Sequence, residues 1–257
     1  VFLLHFFLIT TLFVALYSPS VKKCLGKKSC FTLFLIAIAS IQLGTSALLR
    51  YEVGDVMLFS GAGHYYRQHI DFYFIDQFHT QYPFFPFLIF LHAGLNWVQE
   101  LLPIFTFSFY LKIVLFVALL GISRAIHHER KNSQVEQLRF LTHPITTLVV
   151  FFHGQIDVIL LSFFVWSMIY LFQKKATAKN WLIGTVLYAF SIAAKTWSVI
   201  FLPYMLYNEK SWIKRILLPI AVIFILMVDI FIYTRTVDGS SFRTVLPAVA
   251  KPGGPVG

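Results

Sequence analysis

The 257-residue sequence is 58% hydrophobic and 18% aromatic, with 12% of its residues charged, about half the charged share of a soluble domain. That balance excludes an ordinary water-soluble enzyme. The +10 net charge sits in short loops between apolar runs, which makes it a topology signal and excludes a nucleic-acid-binding face.

Runs of ~20 apolar residues cross a bilayer as helices, because lipid offers no partner to backbone N–H and C=O groups. They are too continuous for the alternating strands of an outer-membrane barrel. The expected class is an all-α, polytopic transmembrane protein with short broken helices and an external loop lying on the membrane surface. Residues 1–257 read as a single domain cut at both ends, starting at a Val and stopping in "AKPGGPVG".

The first apolar run, Val1 to Tyr17, lacks a basic leader and a small-residue cleavage site, so it is not a signal peptide. It is expected to run inward. Lys22, Lys23, Lys27 and Lys28 follow in a loop at 18–30 that holds no acid, and such loops mark the cytoplasmic side. Cys24 and Cys30 in that loop are expected to be two incidental thiols in a reducing compartment.

Phe31 to Leu49 is expected to run outward and to deliver residues 50–82 to the external face. There Arg50 and Arg67 are outnumbered by Glu52, Asp55, Asp71 and Asp76. Aromatic residues such as Tyr65, Tyr73 and Tyr82 suit an interfacial position. Phe84 to Val98 and Ile104 to Ser123 both resemble spans, yet the basic "RAIHHERK" after the second belongs inside. Residues 84–100, opened by Pro83 and Pro86 and closed before Pro103, are therefore expected to form a shallow or re-entrant external helix.

The chain then returns outward over 139–152, turns at "HGQID", and goes inward over Val158 to Phe172, towards Lys174, Lys175 and Lys179. Trp181 to Ala194 comes out, Lys195 lies at the turn, and Thr196 to Tyr207 goes back. Lys210, Lys214 and Arg215 mark a further cytoplasmic loop, and Ile216 to Thr234 is the last outward span, with 235–257 outside. The paired short segments imply polar turns that dip below the outer surface and face a cavity.

Several polar residues in this frame carry chemistry. Asp55, directly after Gly54, is a proton acceptor, a metal ligand or an ordinary helix-end charge. His64, His69 and His79 near Asp71 show no metal-type spacing. A divalent cation, Mg²⁺ or Mn²⁺, held by Asp55 together with a phosphate-bearing substrate would suit oxygen ligands. Gly154, Gln155 and Asp157 combine close backbone approach with hydrogen-bonding groups, and ionisable groups at membrane depth are functional candidates. Lys195 is an isolated cation that either snorkels to an interface or meets a phosphate as a point charge.

"GD" after an outward helix, then "YPFFPF", "HGQIDVILL" and "AAKTWSVIFLP" appear in that order. The series resembles the membrane-embedded glycosyltransferases of the GT-C superfamily, including polyprenyl-phosphate-sugar-dependent mannosyltransferases, over roughly residues 31–207. The resemblance implies a GT-C-like fold with Asp55 as the catalytic acid residue. Tyr82 with Pro83 matches the Tyr-Pro motif, Gly154, Gln155 and Asp157 match the Gly-Gln-Asp turn, and Lys195 matches the later lysine. The motif here reads "YPFFP" where the family has "YPP", and Thr196 and Trp197 follow the lysine. Either Asp71 or Asp76 is a candidate partner for Asp55, and Tyr65 and Arg67 join Asp71, Tyr82, Gln155, Asp157 and Lys195 as expected substrate contacts.

The activity so implied is transfer of a hexose such as mannose from a polyprenyl-phosphate donor to a lipid, glycan or protein acceptor at the external face, with inversion. The membrane would be a bacterial-type plasma membrane or that of the endoplasmic reticulum. Asp55 would serve as base to the acceptor hydroxyl, and Lys195 or a bound metal would stabilise the departing phosphate. The rival class is a secondary transporter or lipid flippase, which also uses interrupted helices around a cavity.

Overall fold

The computed structural model describes residues 2–48, 54–75, 84–130, 134–173 and 177–250. Among these residues the secondary structure is helical, with no strand. Tyr82, Pro83, Glu52, Asp76 and His79 lie outside the described residues.

Among the described residues three helices are long and apolar enough to cross a membrane: α3 (Lys28–Leu48), α6 (Phe107–Arg130, apolar over Phe107–His128) and α12 (Trp212–Thr236). Each coincides with an apolar run predicted from sequence. Only 22% of the α12 window is buried, and Ile220, Phe224, Met227 and Phe231 stand exposed along it. An apolar face of that extent calls for lipid or another apolar surface.

Among the described residues two further helix pairs are jointly long and apolar enough to cross but are sharply bent. α1 (Phe2–Ala15) and α2 (Pro19–Leu25) meet at 85°, and the segment 144–152 meets α9 (Asp157–Phe172) at 120°. The first bend follows from Pro19, which fixes its own φ and suits the first turn of a new helix. The second follows from a break at residues 153–156, described below.

The chain divides into two compact units, Val1–Met57 with Val98–Val158 and Leu58–Trp97 with Ile159–Gly257. In the first unit α1, α3, α6 and α7 (Gln134–Thr142) pack on one another. The buried Gln42 amide of α3 donates to Thr147 Oγ1 at 3.2 Å and to the Leu141 carbonyl at 3.4 Å. These bonds pin α3 to α7 and to the end of α8 (Pro144–Thr147), which runs on into a π-turn at Leu148–Phe152.

The second unit is built on α10 (Ala178–Ala194) against α12, with α13 (Phe242–Ala250) closing on α12 and on a 3₁₀ turn at Phe72–Phe74. α4 (Gly54–Arg67) and α5 (Pro86–Leu101) approach closely there. A Cβ on Gly63 would stand 2.5 Å from the His92 carbonyl carbon, so only glycine permits this contact. Asn96 Nδ2 donates to the Ser60 carbonyl at 2.8 Å beside it. α5 has 16 residues, a rise of ~24 Å, short of the ~30 Å hydrocarbon core.

Several sequence expectations are corrected. Cys24 and Cys30 are joined as a disulfide, where free thiols were expected. The turn at Gly26 between α2 and α3 brings the two Cα atoms to 5.9 Å, inside the range a bridge spans. The stretches 18–30, 50–82 and 235–257 were read as loops, yet they contain α2, α4 and α13. All three are short, and a polar or amphipathic helix leaves no long apolar run to reveal it.

Candidate functional site

In the first unit Asp55 and the "HGQID" turn, about a hundred residues apart in the chain, come together. Asp55 lies in the first turn of α4 and Asp157 in the first turn of α9, where the positive end of a helix dipole favours a carboxylate. Between the π-turn and α9 the chain must reverse, and Gly154 does this at φ +74°, a conformation open to glycine at little cost. The turn is closed by His153 N–H to the Leu148 carbonyl at 3.1 Å and Gln155 N–H to the Val149 carbonyl at 3.3 Å.

Gly154 is also packed against α4. A Cβ there would stand 2.8 Å from Val56 Cγ2. The missing side chain thus lets the "HGQID" turn rest on the first turn of α4, beside Asp55. His153 Nδ1 lies 3.8 Å from Asp55 Oδ2 and 2.9 Å from Gln155 Nε2. Both Asp55 and His153 are about half exposed, at 51% and 52%. A carboxylate, an imidazole and a carboxamide therefore share one accessible rim, and Asp157 stands half-buried at the first residue of α9. His153 was missed by sequence reading, although it directly precedes the Gly-Gln turn that was singled out.

The second unit holds the other predicted residues. Asp71 is buried and caps the 3₁₀ turn, accepting from Tyr73 N–H at 3.1 Å. It also accepts from the Tyr233 hydroxyl at 3.1 Å and from Thr244 Oγ1 at 3.3 Å. Its lone pairs are thus engaged in tying residues 71–73 to α12 and α13. Tyr65 and Arg67 lie half-buried at the end of α4, with the Tyr65 ring 6.3 Å from that of Phe72.

Lys195 ends α10 in an extended conformation (φ −163°, ψ 130°), which breaks the helix before a 3₁₀ turn at Thr196–Phe201. Its Nζ lies 5.9 Å from the centre of the Phe84 ring, at the outer limit of cation–π attraction. Phe84 belongs to the "YPFFPF" motif, and the described end of that motif is held by polar contacts. The Tyr73 hydroxyl donates to the Phe84 carbonyl at 2.6 Å. Asp229 Oδ2 accepts from Phe87 N–H at 3.0 Å, satisfying a first-turn donor of α5 that no residue within the helix can reach.

Asp229 is a second residue that sequence reading missed. Its signal was present: one acid inside the apolar run "FILMVDIF", where ionisable groups are rare. Among the described residues no group of three or more His, Cys, Asp or Glu side chains is placed to hold a metal ion. A cation on Asp55 would need oxygens from elsewhere, the substrate's phosphate included. No protein-family profile, no curated protein and no solved structure matches this chain.

Proposed function

We propose that this chain is a multi-pass membrane glycosyltransferase of the GT-C type, moving a hexose such as mannose from a polyprenyl-phosphate donor to a lipid, glycan or protein acceptor. The observation that carries this reading is the meeting of Asp55 with the "HGQID" turn around Gly154. Two motifs remote in sequence share one exposed rim, as a common site requires.

Asp55 is the base that takes the acceptor hydroxyl proton, while the acceptor oxygen attacks the anomeric carbon and the carrier phosphate departs with its electron pair. One base and one displacement invert the anomeric centre. Gln155 and Asp157 offer hydrogen bonds to sugar hydroxyls, and Lys195 is assigned to the phosphate on the motif resemblance alone. The donor's tail stays in the bilayer.

The test is transfer of radiolabelled sugar from a polyprenyl-phosphate-hexose by the full-length protein in proteoliposomes. Time-dependent transfer that Asp55→Asn abolishes is the expected result. Uptake of sugar or flipping of the lipid without a new glycosidic bond would favour the transporter or flippase reading, which the 85° and 120° helix breaks also fit.

A further inference from the structure

A cavity of about 370 Å³ lies within the first unit, lined by Phe13 and Tyr17 at the end of α1, Ile126 near the end of α6, and Glu136, Arg139 and His143 on and after α7. It is remote in sequence from Asp55 and plays no part in the transfer proposed above. Ile126 falls in the last turns of the apolar Phe107–His128 window, so the cavity lies near the end of that helix, where a bilayer crossing would meet lipid headgroups.

Its charges are arranged as an opposed pair. The Arg139 guanidinium lies 4.0 Å above the centre of the Tyr17 ring and donates through Nη2 to the Leu16 carbonyl at 3.3 Å. Its Nη1 stands 3.8 Å from Glu136 Oε1, too far for a direct hydrogen bond. The guanidinium has five N–H donors in a planar fork, so Arg139 is oriented by Tyr17 and Leu16 while part of the fork still faces the cavity. Glu136, 43% exposed, presents an acceptor carboxylate on the same rim. The His143 ring packs edge-on against Phe13 at 5.3 Å and adds a ring nitrogen to that rim.

We propose that this cavity binds the headgroup of a phospholipid carrying both a phosphate and a primary ammonium, as in phosphatidylethanolamine. The phosphate takes the free side of the Arg139 fork with His143, and the ammonium donates to Glu136. Two charge-assisted hydrogen-bonded contacts are then made across the cavity. The lipid tails continue over Phe13 and Ile126. A quaternary ammonium is disfavoured because it has no N–H for Glu136, and because Arg139 already occupies the Tyr17 face that an aromatic cage would need. The volume lies at the lower end of ligand pockets, suited to a headgroup and too small for a whole lipid.

The test uses the full-length protein in nonionic detergent, with dihexanoyl phosphatidylethanolamine, phosphatidylcholine, phosphatidylglycerol and inorganic phosphate as separate probes, read by calorimetry and native mass spectrometry. Phosphatidylethanolamine is expected to bind about tenfold tighter than the other three, the scale of one added charge-assisted contact. Glu136→Gln should erase that preference while phosphatidylglycerol binding persists, and Arg139→Gln should weaken both lipids. Arg139→Lys should restore part of the binding if the fold is kept, and Glu136→Gln, at an exposed position, reads selectivity whether or not the Arg139 variants fold. Equal binding of the three lipids, preference for phosphatidylcholine, inorganic phosphate binding as tightly as the lipid, or an unchanged preference in Glu136→Gln would each overturn the assignment.

Discussion

The Tyr233 hydroxyl donates to Asp71 Oδ1 at 3.1 Å while accepting from the Phe72 backbone N–H at 3.0 Å. One phenol thereby joins α12 to both the side chain and the backbone of the 71–74 turn. Tyr233 is fully buried and Asp71 nearly so, at 0% and 8% exposed. Tyr233→Phe removes the oxygen that accepts from the Phe72 N–H and takes one of two donors from Asp71 Oδ1, a loss of about 1–3 kcal/mol. Thermal unfolding of the purified protein should shift down accordingly. An unchanged midpoint would mean that the 71–74 turn is not held by this contact.

Asp55 and Asp71 should separate cleanly by assay. Asp55→Asn removes a half-exposed carboxylate that no buried network needs. It should lower glycosyl transfer by ~10²–10⁴-fold, the usual contribution of a general base, with the melting midpoint unmoved. Asp71→Asn should lower stability, with turnover per folded molecule largely retained. The opposite pattern would assign the base to Asp71.

Gly154→Ala tests the meeting of the two motifs without touching a polar group. The new methyl forces a positive-φ residue, a strain of about 1–3 kcal/mol, and collides with Val56 Cγ2, 2.8 Å away. Transfer and stability should both fall. Adding Val56→Ala should relieve the collision and leave the backbone strain, so the double variant should recover part of the loss. Simple additivity of the two changes would show that the turn does not rest on Val56.

The Cys24–Cys30 bridge should appear as a cross-linked peptide when membranes are quenched with an alkylating reagent and digested without reductant. Recovery of two alkylated thiols would restore the reducing environment inferred from the neighbouring lysines. A bridge there would call for an oxidising face at residues 24–30, against the cytoplasmic side that their charge indicates. Closing so short a loop stabilises by about 2 kcal/mol, so Cys24→Ser should lower the melting midpoint modestly.

Lys195→Met should weaken binding of a polyprenyl-phosphate donor more than it lowers the melting midpoint, because the ammonium is assigned to a ligand contact. Lys195→Arg should recover part of the affinity, since charge is kept while its geometry changes. Donor binding that is normal in the Met variant would remove Lys195 from the site.

What the sequence determined by itself is the helical class and the positions of the long apolar helices. α3, α6 and α12 were legible because lipid allows a backbone few solutions and demands ~20 apolar residues for each helical crossing. Asp55, Gln155 and Lys195 were legible as candidates for the same reason, since polar groups stand out against hydrocarbon. Pairings were not legible. Whether Asp71 faces a substrate or caps a turn under Tyr233 depends on where α12 returns, a contact that no local pattern records. The link between Asp55 and His153 depends on Gly154 lying against Val56, and the bond from Phe87 to Asp229 on two helices from distant parts of the chain. Periodicity and apolar length are local properties of a helix, whereas a site is made by side chains that only packing brings within hydrogen-bond reach.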